Sequence, residues 1–309
     1  MDGFLAAWDR CWAAAVTAWQ RMRYELFTTA TVEKWFTLGL TSWLANLAAG
    51  SGGGGFNFPN PFPRAGAKGH GGAAADWLLT AVNWCREHWL LVGAVAVAIL
   101  LVVLAAWLVL LWVSCRGKFI FTDNVARRHL LVKEPWCEFK AQANSYLIWL
   151  IGLTAAFVGI LTVWGGGVAA WLLTRPHPLA VNLTCGLTVV VVFLVVILAM
   201  ILVMACLENF LIPLMYRDRL TTGAAWRQLG ALLAWRPLDF VAYLLLNMVL
   251  WTVAGVAIVL AVFCTCCLAG CLMMIPYLGA VVLLPVTYFF RAFSLAFLEQ
   301  VDPARPVLV

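Results

Sequence analysis

Long apolar runs alternate with short charged stretches along this chain of 309 residues. No charged residue occurs between Trp89 and Val113, and a helix of that length crosses the ~30 Å hydrocarbon core of a bilayer. Further uncharged runs cover residues 141–174, 176–207 and 240–290. The last run exceeds twice the ~20 residues that one crossing needs, so we expect two helices in it. The pattern predicts an all-α protein, a polytopic transmembrane helical bundle.

Composition supports the same class. Hydrophobic residues make up 64% of the chain and charged residues 11%, against roughly 45–50% apolar and 25% charged in soluble domains. The net charge of +6 suits the anionic headgroups of a lipid bilayer. Nucleic acid is a poor partner, because the basic residues are dispersed and no recognition motif accompanies them. Lipid, other membrane proteins or further copies of this chain are the expected partners.

The N-terminal part differs from the rest. Within residues 1–34 an amphipathic cytoplasmic helix is predicted, because Trp8, Trp12, Val16 and Trp19 recur at helical spacing. Charged residues spread through this part argue against a secretory signal peptide.

The next segments are less regular. The apolar segment 35–49 has a length that suits either a short span or a re-entrant segment. Residues 50–88 have the Gly- and Pro-rich composition of an external linker. A transmembrane core at 89–299 and a C-terminal tail at 300–309 follow. The predicted spans of the core are about 89–113, 146–173, 180–207, 240–263 and 271–297.

Loop charges predict the orientation. If segment 35–49 crosses, there are six spans, and most of the 20 Lys and Arg residues fall on the side of the two termini. The positive-inside rule then places both termini in the cytoplasm. If the first segment is re-entrant, five spans remain and the N-terminus lies outside.

Two charged stretches resemble each other. Within FTDNVARRHLLVKEPWCEFK and MYRDRLTTGAAWRQL, Arg127 and Trp136 lie 90 positions before Arg217 and Trp226. This spacing predicts pseudo-repeats of about 90 residues, each a cytoplasmic elbow helix followed by two crossings; chance similarity between amphipathic loops is the alternative. The residues expected at the membrane interface in these elbows are Arg127, Arg128, Pro135, Trp136, Arg217, Arg219, Trp226 and Arg227.

These residues also carry a family resemblance. RGKFIFTDNVARRHLLVKEPWCEF, EKWFTLGLTSWLANL before the glycine run, and RAFSLAFLEQ resemble an uncharacterised family of bacterial and archaeal multi-pass membrane proteins, from about residue 27 to 301. LTTGAAWRQLGALL is more distantly similar to the membrane domain of glycerophosphoryl diester phosphodiesterases and to Yip1-like proteins. The resemblance implies an integral membrane protein of unknown function, for which we expect the bacterial cytoplasmic (inner) membrane, and it brings no catalytic residues.

No catalytic, cofactor or metal motif stands out. Phosphate-loop, zinc-protease and nucleophile-elbow signatures are missing from the sequence, so we predict a protein that is not an enzyme. Cys264 and Cys267 have the spacing of a redox pair, but cysteine in an apolar run usually packs as a small apolar residue. Glu208, at the end of a predicted span, is expected to pair with an elbow arginine such as Arg127 or Arg217.

Three functional hypotheses remain. A non-enzymatic scaffold, assembly or membrane-organising role is favoured. A small-solute or lipid transporter is the first alternative, and a membrane thiol-disulfide oxidoreductase that uses Cys264 and Cys267 is the second.

Overall fold

A computed structural model describes residues 2–29, 31–47, 84, 86–128, 130–174, 179–265, 268–303 and 305–308. The described residues are predominantly helical and include no β-strand, as the predicted fold class requires. Most of the predicted linker 50–88 lies outside them. The α-helices are α1 (Asp2–Arg23), α2 (Val32–Asn46), α3 (Trp89–Arg127), α4 (Lys133–Glu138), α5 (Lys140–Thr174), α6 (Leu179–Cys206), α7 (Ile212–Asp218), α8 (Thr222–Trp235), α9 (Pro237–Cys264), α10 (Leu268–Met274), α11 (Pro276–Val282) and α12 (Leu284–Val301).

Four of the described helical stretches are long and apolar enough to cross a membrane: Trp89–Arg127, Lys140–Ala170, Gly186–Asp218 and Pro237–Cys264. They correspond to four of the predicted spans. In the most apolar windows of these helices, at most 6% of the residues are buried inside the protein. The apolar lengths of these helices are therefore mostly exposed in the isolated chain.

Helix α3 continues well past the predicted end of its span at Val113. Its 39 residues extend about 58 Å, roughly twice the thickness of the hydrocarbon core. Most residues from Leu111 to Ala126 are buried, whereas the N-terminal half is exposed. The charged stretch after Val113, predicted as a loop, is helical up to Arg127 because tertiary contacts cover its polar groups.

The hydrophobic core lies where the buried ends of the long helices meet α1 and α12. Aromatic rings fill its centre: the centroid of Tyr243 is 4.5 Å from that of Phe297 and 4.6 Å from that of Phe293. Such aromatic pairs contribute about 0.5–1.5 kcal/mol each beyond the area they bury. The C-terminal ends of α3 and α6 and the N-terminal ends of α5 and α9 thus form one compact body.

Helix α1 packs against α12 and α9 through a face that the sequence analysis did not single out. Ala7, Cys11 and Ala18 are fully buried on it, and small residues at spacings of three and four let two helix backbones approach closely. Trp12 and Trp19, on the predicted apolar face, are 54% and 55% exposed. Trp12 and Trp19 therefore lie outside the core, whereas Trp8 packs partly buried against it.

The predicted span 271–297 is divided into α10, α11 and α12. The breaks fall at Ile275 and Leu283, and each is followed by a proline in the first turn of the next helix, the position that tolerates a missing N–H. Helix α11 packs against α2, which has only 15 residues. By contrast, Gly165, Gly166 and Gly167 do not interrupt α5.

Candidate functional site

A polar cavity of about 150 Å³ lies between α2, α3, α9, α12 and the turn that joins α6 to α7. Charged and amide side chains on its wall come from segments far apart in the sequence. Its polar lining residues are Asn46, Lys118, Glu208, Asn209, Thr287, Arg291 and Ser294.

Lys118 and Glu208 form an ion pair in this cavity. The Lys118 Nζ lies 2.5 Å from Glu208 Oε1, and the two side chains are 9% and 49% exposed. A buried ammonium is costly without a counter-charge, so the pair neutralises Lys118. The expected pairing of Glu208 with Arg127 or Arg217 is therefore wrong, because the carboxylate pairs with Lys118 instead.

A local irregularity positions Glu208. Residues Leu207–Leu211 form a π-helical turn between α6 and α7, and such turns disturb the regular backbone hydrogen bonding of a helix. Arg291 uses the backbone of this turn: its Nη1 donates to the Glu208 carbonyl oxygen over 3.0 Å. The π-turn thus presents both a carboxylate and a carbonyl to the cavity.

Arg291 gives the cavity an excess of positive charge. Among the described residues, no carboxylate lies within salt-bridge distance of its guanidinium. Lys118 and Arg291 contribute two positive charges and Glu208 one negative charge. The described lining therefore carries one net positive charge.

Neutral hydrogen bonds hold the surrounding wall. Ser42 Oγ donates to Thr287 Oγ1 over 3.1 Å, which ties α2 to α12. The Tyr243 hydroxyl donates to Asn209 Oδ1 over 3.3 Å. Ser114 Oγ donates to the Ala45 carbonyl oxygen over 2.8 Å, which joins α3 to α2.

An apolar groove lies beside the polar cavity and shares Phe290 with it. The groove has a volume of about 500 Å³ and is lined by side chains of α1, α9 and α12, among them Trp19, Ala254 and Val286. The rings of Trp251 and Phe290 stack with centroids 4.2 Å apart, and Trp251 belongs to the polar cavity. This stack separates a charged compartment from an apolar one.

The predicted interface residues occupy two elbows outside the cavity. The Arg127 Nε lies 3.3 Å from Asp123 Oδ1, and Arg219 forms an ion pair with Glu138. Arg128 and Arg219 follow α3 and α7 with positive φ angles of 56° and 55°, so both helices end in a left-handed residue.

Other elbow residues have structural contacts as well. The Arg217 Nη2 lies 3.1 Å from Asp302 Oδ2. Pro135 is buried in the first turn of α4, and Trp136 meets Trp112 edge-on with centroids 5.8 Å apart. Trp226 packs against Trp149 at 5.5 Å, while Arg227 is exposed.

The cysteine pair is only half described. Cys264 is a free, exposed thiol at the end of α9, and Cys267 lies outside the described residues. No group of three or more His, Cys, Asp or Glu side chains suited to a metal occurs in the part of the chain that the structure describes.

Residues 13–276 match a family of unknown function, DUF7544, and the chain belongs to this family. The expected resemblance to an uncharacterised family agrees with this match. Comparison with curated proteins and with solved structures finds no match, so the more distant similarity to phosphodiesterase membrane domains and Yip1-like proteins is unsupported.

Sequence reasoning missed Lys118 and Arg291 as site residues. The predicted spans leave Lys118 in the charged loop after Val113 and Arg291 among the charges near the C-terminus. One signal was available: Arg291 lies inside the predicted span 271–297, and ionisable residues within membrane spans are commonly functional.

Proposed function

We propose that this protein is a non-enzymatic scaffold of the bacterial cytoplasmic membrane, with an organising or assembly role. The supporting observation is the contrast between a compact body and four apolar helical stretches that are at most 6% buried in their most apolar windows. Helices of one chain that leave so much apolar surface uncovered offer it to lipid and to the helices of other proteins. The body would hold these helices at fixed positions.

The proposal includes the orientation. Both termini and the two elbows are placed in the cytoplasm, as the distribution of Lys and Arg favours, and the predicted count of six spans includes α2 and the 271–297 region. Reporter enzymes that work only in the cytoplasm should be active when they are fused after Lys140 or after Arg236. An external signal at both positions would contradict this orientation.

Photo-crosslinking tests the scaffold role directly. A photoreactive residue is placed at Val97 on α3, Val191 on α6 or Val256 on α9, all of which are exposed. We expect protein adducts of discrete mass at one or two of these positions, because a scaffold binds partners through defined faces. Phe293, fully buried in the core, is the control and should give no intermolecular adduct. Lipid adducts alone at all three positions would rule out the proposal.

Transport of a small solute or lipid is the second candidate. The observation that favours it is the charged cavity at Lys118, Glu208 and Arg291, since ionisable groups in membrane helices often mark substrate paths. It ranks second because the cavity is small, at about 150 Å³, compared with ~300–1,000 Å³ for typical ligand pockets. Substrate uptake by proteoliposomes that is lost in the Glu208→Gln variant would reverse this order.

A further inference from the structure

The cavity at Lys118 and Arg291 lacks one negative charge. Glu208 balances Lys118 at 2.5 Å, and Arg291 donates one described hydrogen bond, to a neutral carbonyl oxygen. A guanidinium has five N–H donors in a planar fork that matches the oxygens of phosphate or carboxylate. Because a half-buried cation is stabilised by a counter-ion, an anionic group fits this cavity.

The volume restricts the anion. A volume of about 150 Å³ is well above the ~10–15 Å³ that holds one water molecule, so a single phosphate group fits this space. Lys118 also lines the cavity, but its ammonium is paired with Glu208, so the guanidinium of Arg291 is the group that binds the oxyanion.

The neighbouring groove restricts the rest of the ligand. Phe290 lines both spaces, and the groove beyond it is lined mainly by apolar side chains of α9 and α12. An inorganic ion leaves this groove empty, but an amphiphile with an anionic head and an acyl chain occupies both. In a membrane the abundant molecule of that chemistry is an anionic phospholipid.

We propose that the cavity at Lys118, Glu208 and Arg291 binds the phosphate of a phospholipid with a small anionic headgroup, and that one acyl chain lies in the apolar groove beside Phe290. The Trp251–Phe290 stack marks the boundary between headgroup and chain. This site goes beyond the scaffold role and does not depend on it.

Binding to the purified full-length protein in detergent tests the proposal. The probes are dioctanoyl phosphatidic acid, dioctanoyl phosphatidylcholine and inorganic phosphate, and affinity is measured by native mass spectrometry or calorimetry. We expect phosphatidic acid to bind at least about tenfold more tightly than phosphatidylcholine of the same chain length, because its headgroup has a net negative charge whereas the choline ammonium balances the phosphate of phosphatidylcholine. Equal affinity for the two lipids would contradict an anion-binding site. This comparison uses the unaltered protein, so it does not depend on a variant that folds.

Two variants with matched controls locate the site. Arg291→Gln should weaken phosphatidic acid binding roughly tenfold or more, whereas Arg227→Gln, the same change at an exposed elbow position, should leave it unchanged. Ala254→Phe fills the groove and should weaken lipid binding, while Val256→Phe on the exposed surface of α9 should not. If Arg291→Gln does not fold, Arg291→Lys keeps the charge and should retain most of the preference.

The same binding measurements also distinguish a bound phospholipid from a bound inorganic phosphate ion. Inorganic phosphate that binds as tightly as phosphatidic acid, with no effect of Ala254→Phe, overturns the lipid assignment. Equal loss in Arg291→Gln and Arg227→Gln overturns the location. The photo-crosslinking of α3, α6 and α9 reports on the scaffold role separately, so the two proposals fail independently.

Discussion

The ammonium of Lys118 lies 2.5 Å from the carboxylate of Glu208, 90 positions later in the chain. This ion pair joins the buried half of α3 to the π-helical turn after α6. The two residues are separated by the whole of α5 and α6, so the contact closes a long loop. The ion pair therefore holds α3 against the π-helical turn and also forms part of the cavity lining.

Removal of one partner of this pair should destabilise the protein. Lys118→Met leaves the Glu208 carboxylate without its counter-charge, and Glu208→Gln leaves a buried ammonium. Because the Glu208 side chain is 49% exposed, we expect a loss below the ~3–5 kcal/mol of a fully buried pair, at about 1–3 kcal/mol for each variant. Thermal unfolding of the purified protein measures the effect.

The double variant is the control for this pair. Lys118→Met combined with Glu208→Gln removes both charges, and it should be more stable than the sum of the two single losses predicts. Strictly additive losses would show that the two residues do not interact in the folded protein.

A methyl group at Gly117 should displace α2. A Cβ built there would lie 2.5 Å from the Leu44 carbonyl carbon and 2.6 Å from the Ala45 nitrogen, and backbone atoms cannot move aside as side chains do. We expect Gly117→Ala to cost about 1–3 kcal/mol despite its better helix propensity, measured as a lower Tm and faster proteolysis of α2.

Gly93→Ala is the matched change in the same helix. Nothing lies within 4 Å of a Cβ at Gly93, so we expect neutral or slightly higher stability, by up to ~1 kcal/mol. A similar loss at both positions would contradict the close approach of α2 to α3.

Cys11 should be unreactive toward thiol reagents in the folded protein. Burial, with a smaller effect from the charge of Asp239, raises the pKa of the Cys11 thiol from 9.0 to about 12, although Arg10 lowers it in part. Since the thiolate is the nucleophile, maleimide labelling of native protein at pH 7–9 should modify the exposed Cys137 and spare Cys11.

The same shift has a consequence for stability. The folded-state pKa of Cys11 is raised, so the stability contributed by its neutral thiol is present below pH 9.0 and is lost as the pH rises from there to about 12. Cys11→Ala should therefore be less sensitive to alkaline unfolding than the parent protein. Rapid labelling of Cys11 at pH 7 would show that α1 does not stay docked on α9.

The C-terminal tail should be released by loss of Glu299. Its Oε1 accepts hydrogen bonds from the backbone N–H groups of Val307 at 2.6 Å and Leu308 at 2.5 Å. Glu299→Ala leaves both donors without this acceptor and should increase hydrogen exchange of the Val307 and Leu308 amides by roughly tenfold, about 1.4 kcal/mol, for hydrogen bonds to a charged group. Gln300→Ala, the neighbouring change, should leave the exchange of these amides unchanged.

The elbows were predictable in part. Helical spacing predicts one apolar face of Trp136, Phe139, Ala143 and Tyr146; the last three are buried, while Trp136 is only partly buried. The sequence favours Pro135 as the first position of this helix, because proline is tolerated there, whereas α4 begins at Lys133. Local spacing identifies a helix face, while the first residue depends on how the preceding chain leaves α3.

The sequence by itself determined the four long apolar helices, the all-α class and the family, because bilayer-length runs and local motifs are properties of contiguous residues. Only the tertiary structure decided that α3 continues to Arg127, since contacts such as the 2.9 Å hydrogen bond from the Tyr216 hydroxyl to Asp123 come from distant segments. The same holds for the cavity. Lys118, Glu208 and Arg291 stand on three separate elements, and no local pattern records which of the charged residues of a chain meet once it folds.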